Sequence, residues 1–118
     1  MFNVQSIDDL DNFIIENQND VVLLYFGTSW CGPCKLLKER LAQPDTINEM
    51  PYLKVCYIDT DENEEISELY KITTLPTQIF VRLYENKVKI AYRIEGYNYT
   101  KLLYEYNIYL ILWLTNLL

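Results

Sequence analysis

Two cysteines, Cys31 and Cys34, stand with two residues between them in the run Trp30-Cys31-Gly32-Pro33-Cys34-Lys35. An apolar stretch over residues 21–26 precedes them, and Leu37 and Leu41 follow at helical spacing. The order is strand, tight connection, helix, with both thiols at the helix entrance. The first turn of a helix leaves backbone N–H groups without partners, and these stabilise negative charge. A cysteine placed there has a lowered pKa and is nucleophilic. Gly32 permits the sharp approach, and Pro33 suits an early helical position because its missing N–H is not needed there. Such a pair serves dithiol–disulfide exchange, with the first sulfur facing solvent. The competing chemistry is half of a zinc site, which needs a second pair of ligands. The chain has no histidine and one further cysteine, Cys56, so metal binding is not expected.

The elements that position this pair follow in chain order. Phe2 and Val4 share one side of a short strand over 2–5. Ser6-Ile7-Asp8-Asp9 resembles a capping box with aspartate in place of glutamate. Leu10, Phe13 and Ile14 then mark a helix over 7–17. Residues 21–26 lack alternation, as in a strand buried on both faces. Pro44 breaks or kinks the dithiol helix, and Ile47 and Met50 belong to a further turn. Residues 53–58 make a third strand, with Cys56 as a free core thiol. Asn63 caps a short helix whose buried stripe is Ile66, Leu69 and Tyr70. Ile79, Val81 and Leu83 alternate before a turn at 85–87, and Val88, Ile90, Tyr92 and Ile94 alternate after it, a hairpin over 77–94.

Gly96 ends the hairpin, and Asn98 caps a last helix. Tyr99, Leu102, Leu103, Tyr106, Leu110, Trp113 and Leu117 form one stripe of that helix. Ile108, Ile111, Leu112 and Leu118 make its second half apolar on the opposite face too. A helix apolar all round needs cover: a deeper core, a folded-back tail, a second copy or a partner. The sum is an α/β fold with a mixed central β-sheet flanked by helices on both faces. It forms a single domain over 1–118, with an apolar C-terminal helix extension at about 108–118.

Composition narrows the partners. A net charge of −7 argues against nucleic acid or an anionic membrane surface. Residues 59–65 concentrate that charge as a solvated loop leading into a helix. No segment resembles a signal peptide, and the apolar carboxyl end is too short to span a bilayer. Three cysteines, two of them paired, do not form a secreted disulfide framework, so a reducing, cytoplasmic setting is expected.

The chain resembles the thioredoxin family. The run from Trp30 to Lys35 is that family's active-site motif as it stands, and residues 57–63 resemble the segment after its third strand. Leu75-Pro76-Thr77 matches its loop with a cis proline, and Gly96 its glycine before the last helix. The likeness covers nearly the whole chain apart from the apolar tail. It implies a thioredoxin-like fold and reduction of protein disulfides, with Cys31 attacking and Cys34 resolving. It implies no bound cofactor, only a redox-active Cys31–Cys34 disulfide. Pro76 would face the cysteines and leave the Leu75 backbone free to pair with an extended substrate. Trp30, Gly32, Pro33, Leu75 and Gly96 would line a shallow docking groove. Disulfide-containing proteins would be the substrates, and a reductase, such as thioredoxin reductase, the electron source.

The departures carry their own expectations. The family's buried aspartate beneath the resolving cysteine is Tyr25 here, and the lysine near it on the third strand aligns with Val55. A tyrosine, with an ordinary pKa of about 10, is a poor base at neutral pH. Cys34 should therefore lose its proton more slowly, through water, or at higher pH. Gly27 replaces a second tryptophan, which should loosen packing beside the dithiol. Glu39 stands where the family has a mid-helix proline. Two other readings keep the fold: a dedicated electron donor docked on the apolar tail, and a binding module without turnover. The second has no need of both cysteines.

Overall fold

The computed structural model describes residues 1–115. Its elements run β1 (Phe2–Asn3), α1 (Ile7–Glu16), β2 (Val21–Gly27), α2 (Gly32–Leu41), α3 (Pro44–Glu49), β3 (Leu53–Asp59), α4 (Glu64–Leu69), β4 (Thr77–Tyr84), β5 (Lys87–Glu95) and α5 (Tyr99–Leu114). The strands form one sheet in the order β1-β3-β2-β4-β5. β1 and β2 both pair with β3 in parallel, whereas β4 runs antiparallel to β2 and to β5. The expected mixed sheet is present.

β2 lies at the centre, which explains its unbroken apolar run. Val21, Leu23 and Tyr25 face a core built with Leu37 and Leu41 of α2 and with Leu102, Tyr106 and Tyr109 of α5. Val22, Leu24 and Phe26 face the other core, with Leu10 and Ile14 of α1 and Ile66 of α4. Each strand position thus feeds one of two layers of helices.

Several local expectations are corrected. The Ser6 hydroxyl accepts the Asp9 N–H, but the Asp9 carboxylate reaches back to the Gln5 N–H, one residue earlier than a standard capping box. Helix α1 ends at Glu16. Asn63 occupies the position before α4 without capping it, because its amide donates to the carbonyls of Val4 and Asp59 and so ties the segment after β1 to the end of β3. Leu69 is 65% exposed. In so short a helix only Ile66 faces the sheet, with Tyr70 at its end packing on the same core.

The hairpin turns on Glu85 and Asn86 alone, both at positive φ, as a two-residue turn of matching twist requires. Lys87 already belongs to β5. A register shift between Phe80 and Val81 bends the hairpin, and Val88 and Ile90 end on its exposed side.

In α5 the Asn98 cap is as expected, its side chain accepting the Lys101 N–H. Tyr109 joins the buried stripe, stacking on Phe80 and donating its hydroxyl proton to the Val81 carbonyl. Tyr104, Ile108, Ile111 and Leu114 are exposed along the outer face. Leu117 and Leu118, assigned to this helix from the sequence, lie outside the described residues. Among the described residues, no helix is long and apolar enough to cross a membrane.

Candidate active site

Cys31 and Cys34 are joined in a disulfide with their Cα atoms 5.2 Å apart. Cys31 is the N-cap of α2, and its Sγ accepts the Cys34 N–H at 3.2 Å. The carbonyl of Cys31 accepts the Lys35 N–H, so the first helical turn closes around the pair. Pro33 sits in that first turn, where its absent N–H leaves no bond unmade. In this oxidised form Cys31 is 6% exposed and Cys34 2%. The first sulfur is the more open one, but it is not the solvent-facing thiol expected from the sequence. Both pack into the core cluster against which Leu75 also rests. Gly32 and Pro33 are exposed.

Beneath the helix start lies Tyr25, 1% exposed. Its hydroxyl donates to the backbone carbonyl of Cys34, not to a sulfur. Burial, and secondarily the neighbouring Tyr57 phenol, push its ionisation well above the ordinary tyrosine value. It is a structural donor and has no capacity to act as a base near neutrality.

The strand register revises the assignment of its partner. Tyr25 pairs across the parallel ladder with Tyr57, and Leu23 with Val55. Tyr57, not Val55, therefore faces Tyr25 on β3, and the two rings meet edge-on with centroids 5.0 Å apart. Lys38 of α2 places its Nζ 4.7 Å from the centroid of the Tyr57 ring.

Gly27 is buried, and the packing around it is tight where a loose pocket was expected. A Cβ there would meet Tyr25 Cε1 at 3.1 Å and Cys34 Sγ at 3.2 Å. The tyrosine ring and the second cysteine already occupy the space. The region of Glu39 is plain helix, and the helix is interrupted between Leu41 and Pro44.

Trp30 is 70% exposed, so core packing does not account for it. Its indole N–H donates to Asp61 Oδ2 at 2.8 Å, and the Asp61 N–H donates to Asp59 Oδ1 at 2.9 Å. The sequence reading took these aspartates as solvated charge. No spacing rule links them to a tryptophan some thirty residues earlier, and only the adjacency of the β2 and β3 ends reveals it.

The Leu75–Pro76 bond is cis. β4 begins at Thr77, paired with Phe26 near the end of β2, so this bond lies beside the departure point of the dithiol loop. The Pro76 carbonyl accepts the Gly96 N–H at 2.8 Å, and the Gly96 carbonyl accepts the Gln78 side-chain amide at 3.1 Å. Gly96 holds φ +85°, a conformation that favours glycine. Among the described residues, no group of three or more His, Cys, Asp or Glu side chains could hold a metal.

The Thioredoxin family profile matches residues 4–105. Thioredoxin-T of Drosophila melanogaster is 32% identical over 70% of the chain, a match that spans 52% of the fly protein. The thioredoxin of Chlamydia pneumoniae is likewise 32% identical over 70% of the chain, here covering 76% of the relative. The X-ray structure of Fasciola hepatica thioredoxin superposes with a TM-score of 0.78 at 29% identity, covering 91% of this chain and 97% of that one. With a paired Cys31–Cys34 at the head of α2, the protein belongs to the thioredoxin family of thiol–disulfide oxidoreductases.

Proposed function

We propose that the chain reduces disulfides in other proteins. The Cys31 thiolate attacks a target disulfide, forming a mixed disulfide and releasing one target thiolate. Cys34 then attacks Cys31 Sγ, which releases the second target thiolate and leaves the dithiol oxidised to the Cys31–Cys34 disulfide. The observation that carries this reading is the Cys34 N–H directed at Cys31 Sγ in the first turn of α2. The same bond would stabilise the attacking thiolate.

Leu75, beside the cis bond to Pro76, supplies backbone to an extended substrate in this reading, and Trp30, Gly32, Pro33 and Gly96 border the docking groove. Electrons come from a separate reductase of the thioredoxin reductase type. The cytoplasm is the proposed compartment, on the ground that one cysteine pair and one buried thiol do not make a secreted framework. The chain acts as one domain over 1–118. The exposed apolar residues along α5 are proposed as a contact for a partner or a second copy, which sedimentation across a concentration series would detect.

Turnover of a protein disulfide with dithiothreitol as electron source tests the reading. Cys31→Ser should abolish turnover, and Cys34→Ser should stall as a mixed disulfide. Full function of Cys31→Ser in its partner's assay would instead identify a binding module.

A further inference from the structure

Resolution requires Cys34 to lose a proton, and Tyr25 offers no route for it, because its hydroxyl proton is already given to the Cys34 carbonyl. A cleft of about 330 Å³ reaches the second cysteine from the side. Tyr25, Thr28 and Cys34 form its buried end, Tyr57 and Asp59 are half-buried along it, and Lys35 and Lys38 line it from the exposed face of α2. Such a volume holds several waters, each needing about 30 Å³. Thr28 is 2% exposed, and its Oγ1 has no hydrogen-bond partner among the described residues. A buried hydroxyl in that state calls for water.

The acidic groups near the cleft are not equivalent. Asp61 Oδ2 accepts the Trp30 indole N–H. Asp59 accepts the Asp61 N–H at Oδ1 and makes no hydrogen bond through its second oxygen among the described residues. Tyr57 stays protonated near neutrality: burial first, then the charges of Asp59 and Asp61, raise its ionisation. Lys35 and Lys38 bring positive charge to the side on which a Cys34 thiolate forms.

Resting on the disulfide-reductase reading above, we propose that Cys34 discharges its proton into this cleft, through water held by the Thr28 hydroxyl, to the carboxylate of Asp59. The S–H bond of Cys34 breaks as the water accepts its proton and passes one on to Asp59. The freed electron pair on Cys34 attacks Cys31 Sγ, the bond from Cys31 to the target sulfur breaks, and the target leaves as a thiolate. Asp59 then returns the proton to solvent. Asp59 is the proton acceptor, and Thr28 is a positioning residue that holds the water.

Stopped-flow reaction of the reduced chain with excess dithiobis(nitrobenzoate) separates the steps. The first thionitrobenzoate reports attack by Cys31 and depends on reagent concentration; the second reports resolution by Cys34 and does not. Asp59→Asn retains an oxygen for the Asp61 N–H. It should slow the second phase by about tenfold or more at neutral pH, with the deficit closing as pH rises and hydroxide takes the proton. Thr28→Val should slow the same phase, and Thr28→Ser should restore it. Glu62→Gln, a neighbouring charge that does not line the cleft, should leave it as it is. A deficit equal at every pH, no deficit, or an equal loss in Glu62→Gln would each overturn the assignment. Absence of any second phase in the unaltered chain would overturn the redox reading beneath it.

Discussion

The phenol of Tyr25 donates its proton to the backbone carbonyl of Cys34, so the residue beneath the resolving cysteine holds the helix and does not serve the sulfur. Tyr25→Asp would place a carboxylate there instead. Resolution of the Cys31 mixed disulfide should then accelerate at neutral pH, while stability falls because a buried carboxylate replaces the hydroxyl that satisfies the Cys34 carbonyl. Quenched-flow mass analysis measures the rate, and no acceleration would show that proton removal does not limit the step.

Gly27→Ala tests how tightly this corner is packed. The added methyl would sit 3.1 Å from Tyr25 Cε1 and 3.2 Å from Cys34 Sγ. Neither neighbour yields easily, since one is held by its carbonyl bond and the other by the disulfide. A loss of about 1–3 kcal/mol in urea unfolding is expected. The loss should shrink in a Tyr25→Leu background, where the ring edge is gone, giving a measurable coupling.

Gly96→Ala separates conformational from steric cost. Among the described residues, nothing beyond its chain neighbours lies within 4 Å of an added Cβ, yet the residue holds φ +85°. The substitution should cost about 1–2 kcal/mol from backbone strain alone in urea unfolding. A neutral result would show that the backbone around Gly96, between β5 and α5, rearranges at little cost.

Alkaline pH should unfold the chain through its buried acids. Burial, with the Asp9 charge adding to it, pushes the Cys56 thiol up from 9.0 to about 12. Burial pushes the Tyr109 phenol from 10.0 to about 12, against a lowering by Arg82. Raised pKa values mean that the folded chain keeps these protons while the unfolded chain loses them. Their stabilisation is complete below pH 9.0 and is lost as pH climbs toward about 12. Cys56 removes roughly 1.4 kcal/mol per pH unit above pH 9.0, and Tyr109 adds a similar slope above pH 10.0. Urea midpoints measured from pH 8 upward should fall from about pH 9, and Cys56→Val should delay the onset; a flat profile would contradict the burial argument.

Residue patterns carried most of this fold, and the reason is visible in β2. Its apolar run splits by parity between two cores, which only a central strand can do. The dithiol and its helix, the Asn98 cap and the cis Leu75–Pro76 bond were legible for the same reason, each being a local signal or a motif. What escaped was relational. Sequence alignment places Val55 near Tyr25, but register belongs to two strands together, and only pairing shows that Tyr57 holds that place. Gly27 suggests looser packing in sequence because the ring that fills the space lies two residues away on the same face. The position of Asn63 suits a cap, but its amide bonds the carbonyls of Val4, just after β1, and of Asp59, at the end of β3.

The reduction potential of the Cys31–Cys34 couple tests the central claim most directly. The chain would be equilibrated against dithiothreitol and then glutathione, with thiols quenched and counted by mass and Cys34→Ser as the control. A potential well below the glutathione couple is expected of a disulfide reductant. A potential at or above that couple would contradict it and assign the dithiol to oxidation or isomerisation.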